Sequence, residues 1–115
     1  MKTSNLSPLQ LQKSEYSIVY KAYEDYMLLK NYSISTVKTY LCNFRQYHTW
    51  CVAQGHVDIY DQDLVKEYLL YRVRNGARWQ TMNNIYSAMR KLFKDVLEIY
   101  WSLKKFPRPK QERVL

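Results

Sequence analysis

The segment Asn31–Trp50 constrains the fold most, because its pattern predicts one amphipathic helix with a marked start. Ser33 or Ser35 can cap this helix, since a short hydroxyl side chain accepts hydrogen bonds from the unpaired N–H groups of the first turn. At helical spacing, one face is apolar and comprises Val37, Tyr40, Leu41, Phe44, His48 and Cys51. The opposite face carries short uncharged groups, with cations at one border: Thr36, Thr39, Asn43, Gln46, Lys38 and Arg45. A solvated face more often carries Glu and Lys in i,i+4 pairs, so this face indicates a binding surface.

The remaining sequence predicts three more helices around this one. The first helix is expected at about Ser14–Lys30 with Ser14 as its cap, and the segment above becomes a second helix at about Ser35–Ala53. Asp61 is expected to cap a third helix, Gln62–Arg74, and the fourth and longest is expected at about Trp79–Leu103. No strand pattern or internal repeat is found. The sequence therefore predicts an all-α fold, a compact orthogonal or up-down bundle of four helices.

Each predicted helix carries an apolar stripe that is expected to form the core. The first, third and fourth stripes comprise Val19, Tyr23, Tyr26 and Met27; Leu64, Val65, Tyr68, Leu69 and Tyr71; and Met82, Ile85, Met89, Leu92, Phe93, Val96 and Tyr100. A chain of 115 residues suits one such core. The predicted organisation is a flexible N-terminus (1–13), one helical domain (14–103) and a linker (104–115) in which Pro107 and Pro109 exclude helix.

A formal net charge of +8 favours a polyanionic partner, with nucleic acid ahead of an anionic membrane surface. The far side of the fourth helix resembles that of the second, with amides and hydroxyls between cations. Uncharged groups suit base edges, and Asn and Gln can pair with adenine in the major groove. The predicted groove contacts are Thr36, Thr39, Asn43, Gln80, Asn83, Asn84 and Ser87. The predicted phosphate contacts are Lys38, Arg45, Arg78, Arg90, Lys91 and Lys94, with Arg72 and Arg74 as additional candidates.

The sequence offers no catalytic or cofactor motif. It contains two Gly and no Gly-rich phosphate loop, no H-E-x-x-H and no C-x-x-C. His48, Cys51 and His56 are close in sequence, but a packed His and a buried Cys are the ordinary interpretation, so neither a metal nor a cofactor is expected. Cys42 and Cys51 fall on roughly opposite faces of one helix and cannot pair with each other, which indicates a reducing, cytoplasmic compartment. No apolar run approaches the length that spans a bilayer.

Four segments in register resemble a known family. They are Asn31-Tyr-Ser-x-Ser-Thr-Val-x-Thr-Tyr40 with Phe44, the acidic connector Asp61-x-Asp-Leu with Tyr68-Leu69, Thr81-Met-Asn-Asn-Ile-Tyr-Ser-Ala-Met-Arg90-Lys-Leu-Phe93, and Phe106-Pro-Arg-Pro-Lys110. Over roughly Tyr16–Leu115, their order and spacing are similar to those of the SAM-like core-binding domain of tyrosine recombinases, the phage integrase family.

The resemblance implies a domain that closes over double-stranded DNA like half of a clamp and contacts the major groove with two helices. In this family, strand exchange uses a Tyr nucleophile with Arg, Lys and His-x-x-Arg groups from a separate C-terminal domain. Neither His48 nor His56 begins His-x-x-Arg, so we expect no strand cleavage by this chain. The sequence is expected to be a fragment of a larger recombinase. Its implied partners are DNA, that catalytic domain and other recombinase protomers.

A second hypothesis is a helical protein–protein interaction module that does not bind DNA. The twelve Tyr residues, and Trp50 on the predicted outer face, keep this alternative open. Salt dependence separates the two hypotheses, because phosphate contacts make affinity fall steeply with salt, whereas an apolar interface hardly responds.

Overall fold

The structure is a computed structural model that describes the backbone of residues 8–104 and the side chains of residues 15–104. Four helices follow one another: α1 (Pro8–Leu29), α2 (Ile34–Ala53), α3 (Gln62–Arg74) and α4 (Trp79–Lys91). Helix α4 continues directly into a π-helical turn, Leu92–Val96. No strand occurs within residues 8–104. The predicted all-α, four-helix architecture is confirmed.

Two of the three predicted helix caps are present in the structure. Of the two candidates for α2, Ser33 is the cap, and its Oγ accepts a hydrogen bond from the Thr36 N–H at 3.1 Å. Asp61 caps α3 by accepting from the Asp63 N–H at 2.9 Å. The predicted cap at Ser14 is wrong, because α1 begins at Pro8. Proline suits a first helical turn, where its missing N–H would lack a partner in any case.

The predicted end of α4 at Leu103 is wrong. The chain leaves helical geometry after Val96, and Glu98 adopts a left-handed φ of 55°. Residues 97–104, which we call the return segment, then run back along α4. The Ile99 N–H donates to the Phe93 carbonyl at 2.8 Å, and the Tyr86 hydroxyl donates to the Leu103 carbonyl at 2.8 Å. Tyr100 is consequently 79% exposed and does not belong to the core.

The return segment is fixed to both α4 and α3. The Trp101 ring lies edge-on to Phe93 and to Tyr86, with centroid distances of 5.2 and 5.8 Å. Gln62, in the first turn of α3, accepts hydrogen bonds through Oε1 from the N–H groups of Ser102 and Leu103, each at 2.8 Å. These contacts place residues 97–104 against the bundle.

The core lies where α2 packs against α1, α3 and α4. Phe44, Ile85, Met89 and Phe93 are fully buried as predicted, whereas Tyr40 is only half-buried. The sequence pattern missed Tyr47, which is fully buried and whose hydroxyl donates to the Ile59 carbonyl, and it also missed the buried Ile59, Tyr86 and Ala88. Besides Tyr100, the predicted core residue that is exposed at the surface is Tyr71, at 44%.

His48 forms part of this packing and has a depressed pKa. Its ring stacks on Tyr16 with a centroid distance of 3.9 Å and an interplanar angle of 14°. Burial lowers the pKa of the imidazole below its ordinary value of 6.5 because a charged ring would lose its hydration. Its Nε2 atom is buried and has no hydrogen-bond partner among the described residues.

We expect the free energy of unfolding to decrease as the pH falls below about 6.5. Above that pH His48 is neutral in both states and contributes no pH dependence. Below it the unfolded chain binds a proton that the folded chain resists, so protons favour unfolding. Urea titrations between neutral and mildly acidic pH should show this decrease, and His48→Phe, which keeps a ring but cannot titrate, should reduce it. His56→Phe is the matched control, since it removes the other histidine of the chain. If His48→Phe kept the decrease seen in the parent chain, the assignment to His48 would be wrong.

Candidate nucleic-acid interface

Helices α2 and α4 pack against each other and contain no acidic residue. The acidic residues with described side chains lie on α1, on the connector before α3, on α3, and beyond Lys91. Along the α2–α4 pair, the cations therefore meet no carboxylate from either helix, although Lys91 lies 3.9 Å from Asp95 in the turn that follows α4. This separation of charge is what a surface that contacts phosphates requires.

The predicted groove contacts all lie outside the core. Thr39 and Gln80 are exposed, while the rest are half-buried: Thr36, Asn43, Asn83, Asn84 and Ser87. Thr36 also takes part in the start of α2, because the Ser33 hydroxyl donates to its Oγ1 at 2.9 Å. Asn83 Oδ1 is buried and has no hydrogen-bond partner among the described residues. These side chains lie on two helices that pack against each other.

Five of the six main predicted phosphate contacts are exposed cations, and the sixth, Lys91, makes contacts within the protein. The exposed cations are Lys38, Arg45, Arg78, Arg90 and Lys94. Lys91 differs, because its Nζ lies 3.9 Å from an Asp95 carboxylate oxygen and 5.3 Å from the centre of the Tyr32 ring. The Tyr26 hydroxyl also donates to Asp95, at 2.9 Å. Lys91 thus contacts the turn before α2 directly and is connected to α1 through Asp95, in addition to any role on the surface.

The structure reveals a groove between α2 and α3 that the sequence pattern did not identify. This α2–α3 groove has a volume of about 510 Å³ and is lined by Gln46, Thr49, Trp50, Ala53, Gln54, Tyr68, Tyr71 and Arg72. Arg72, an additional phosphate candidate, donates from Nη1 to the Tyr68 hydroxyl at 2.9 Å, whereas Arg74 is exposed. The signal that could have found the groove is the spacing of Trp50 from Gln46 and Asn43, which places all three on one face of α2.

The described side chains contain no group of three or more His, Cys, Asp and Glu that could hold a metal ion. Cys42 and Cys51 are both free thiols, and Cys51 is fully buried. Burial raises the pKa of the Cys51 thiol to about 12. No helix within residues 8–104 is long and apolar enough to cross a bilayer. The proline-containing segment from Phe106 to Lys110, and the rest of the predicted linker beyond Lys104, lie outside the described residues.

Comparison with known proteins places the chain in a family. No curated protein and no solved structure matches it. The family of phage integrase N-terminal SAM-like domains matches residues 19–103, a span that begins within α1, includes all of α2, α3 and α4, and ends in the return segment. Both helices that carry the predicted contacts therefore lie inside the matched span. The chain belongs to the phage integrase N-terminal SAM-like domain family.

Proposed function

We propose that this chain is the core-binding domain of a site-specific tyrosine recombinase. In this role it holds double-stranded target DNA while a C-terminal catalytic domain of the same protein performs strand exchange in the cytoplasm. The observation that carries the proposal is the α2–α4 pair, which exposes cations beside short uncharged groups and contains no carboxylate. Other recombinase protomers on the same DNA are the further partners.

The two kinds of side chain on this pair have different tasks. Cations such as Arg45 and Arg90 contact phosphates and so fix the register and orientation of the domain on the duplex. Uncharged groups such as Thr39, Asn43 and Asn84 reach base edges in the major groove, where an amide can both donate and accept. Because neither helix carries a carboxylate, no acidic side chain on them repels the backbone of the DNA.

We expect Arg90→Ala to weaken binding on all duplex sequences and to reduce the slope of log affinity against log salt by up to about one unit. Arg90 is a sharper choice than Lys91, whose loss would also disturb the contacts with Asp95 and Tyr32. Asn43→Ala should leave the slope unchanged and cost about 1–3 kcal/mol on the cognate site only. The measurement is fluorescence anisotropy on labelled duplexes over a range of salt concentrations.

Lys21→Ala is the matched control, since it removes one positive charge from α1, where the Lys21 side chain is 70% exposed. It should have a much smaller effect than Arg90→Ala. Equal losses from the two variants would show that binding follows net charge and not the α2–α4 pair. An affinity that does not respond to salt would favour the helical protein-interaction module instead.

A further inference from the structure

The α2–α3 groove combines an aromatic wall with a polar rim. Trp50 contacts Tyr68 and Tyr71, with ring centroids 5.3 and 5.8 Å apart. Tyr71 is 44% exposed and Trp50 is half-buried, so both rings are held in place and still present surface to the groove. The two pairs of rings are tilted by 52° and 35°, so each exposed ring face offers its own surface for another ring to stack on.

The rim of the groove supplies hydrogen-bonding groups and one cation. Amides and a hydroxyl line it, from Gln46, Gln54 and Thr49, and Arg72 is the charged residue among its lining side chains. Two hydrogen bonds orient Arg72, because its Nη1 donates to the Tyr68 hydroxyl at 2.9 Å and to Gln46 Oε1 at 3.4 Å. No acidic side chain lines the groove. The rim therefore favours an anionic occupant with a polar edge.

The groove also continues the polar face of α2. Thr39, Asn43, Gln46 and Trp50 follow one another at spacings of four, three and four residues, so they lie on one side of the helix on successive turns. The face proposed above to contact paired DNA thus runs directly into the aromatic wall. This continuity favours a nucleic-acid occupant over an unrelated protein.

We propose that the α2–α3 groove binds an unpaired DNA base. The base stacks on Trp50 with Tyr71 at its side, its polar edge meets the amides of Gln46 and Gln54, and Arg72 contacts the adjoining phosphate. Stacking suits any base because every base has a π-face, and a nearby guanidinium adds attraction for the backbone. The choice of a nucleic-acid occupant rests in part on the proposed function, because the groove continues the face of α2 proposed to contact paired duplex, but the groove itself lies between α2 and α3.

Binding of oligothymidylate of about 12 nucleotides, followed by fluorescence anisotropy with the 115-residue chain, tests this site. Trp50→Leu should weaken binding roughly fivefold to 150-fold, which corresponds to the loss of about 1–3 kcal/mol when one base-stacking aromatic is removed. Trp50→Tyr should restore most of the affinity, because it restores a ring. Tyr100→Leu is the matched control, since it removes an aromatic that is 79% exposed and lies outside the groove. Equal affinities for Trp50→Leu and Tyr100→Leu would overturn the proposal.

Photo-crosslinking of the unaltered chain provides a test that does not depend on a variant's folding. A duplex carries 5-iodo-deoxyuridine either as one unpaired nucleotide or at a paired position, and adducts are mapped by mass spectrometry. Adducts on Trp50 or Tyr71 from the unpaired nucleotide alone are the expected result. Adducts that form only on other residues would overturn the proposal. A dimer seen in sedimentation that Trp50→Leu abolishes would also overturn it, because the groove would then bind a second copy of the chain.

The two proposals can fail separately. If the chain shows no affinity for paired duplex but binds oligothymidylate in a Trp50-dependent way, the groove proposal stands and the duplex proposal falls. If Arg90→Ala weakens duplex binding while Trp50→Leu leaves oligothymidylate binding unchanged, the duplex proposal stands and the groove proposal falls.

Discussion

Phe44→Ala should lower the free energy of unfolding by about 3–5 kcal/mol, the range for removal of a fully buried aromatic side chain. Phe44 is 0% exposed and lies at the contact between α2 and α1. Its ring meets those of Tyr16 and Tyr23 at centroid distances of 5.0 and 6.2 Å. Truncation loses the transfer free energy of the ring and leaves a cavity that these neighbours only partly fill. Urea denaturation followed by circular dichroism measures the difference.

Ile34→Ala is the control for this substitution, because Ile34 belongs to the same helix and is 59% exposed. It should change stability by no more than about 0.5 kcal/mol, as is usual for surface substitutions. If Phe44→Ala were as stable as the parent chain, the helical phase assigned to α2 would be wrong.

Trp101→Ala should cost about 2–3 kcal/mol, less than a fully buried aromatic because Trp101 is half-buried. The substitution removes the contacts with Phe93 and Tyr86 and leaves the return segment held mainly by its hydrogen bonds to Gln62 and Tyr86. Two readouts are expected to move together. The urea midpoint should fall, and the Ile99 N–H, which donates to Phe93, should exchange faster with solvent.

Tyr100→Ala provides the comparison from the adjacent position. Tyr100 is 79% exposed, so its truncation should leave both the midpoint and the exchange rate of the Ile99 N–H nearly unchanged. Similar losses of stability in the two variants would mean that the return segment does not pack through Trp101. The helix end at Leu103, which the periodic pattern predicts, would then be the better assignment.

The features that the sequence predicted correctly depend on neighbours within one turn or one helix. Ser33 and Asp61 cap their helices through contacts two or three residues away, and α3 has the predicted bounds. The end of α4 could not be predicted in this way. Its apolar spacing continues to Tyr100, but Gln62 binds Ser102 and Leu103 from 40 and 41 residues away, and that tertiary contact overrides the periodic pattern.

Tyrosine accounts for most of the errors in the predicted core. Its ring packs and its hydroxyl stays polar, so helical spacing alone does not tell which tyrosines are buried. Tyr47 is buried because its hydroxyl finds the Ile59 carbonyl, and Tyr23 because its hydroxyl donates to the Ala88 carbonyl at 2.7 Å. Tyr71 has no such partner in the core and lies at the surface, 44% exposed.

The candidate interface was predictable only as two helix faces. Composition and spacing indicated which side of α2 and of α4 is polar, since that information lies within each helix. The internal contacts of Lys91 with Asp95 and Tyr32 depend on how α4 meets the rest of the bundle. The α2–α3 groove brings Trp50 against Tyr68 and Tyr71, which lie 18 and 21 residues further along the chain, so the spacing within α2 could indicate only the α2 side of the groove.

The return segment fixes the point from which the polypeptide departs. Since Gln62 holds Ser102 and Leu103 at the start of α3, whatever follows Lys104 begins at that corner of the bundle and not at the far tip of a long α4. A helix continued to Leu103 would instead have placed the departure point about 10 Å beyond Val96, at 1.5 Å per residue. The contacts of Gln62 therefore limit how far any attached domain can lie from the bundle. Breaking them would lengthen the connection without adding a residue.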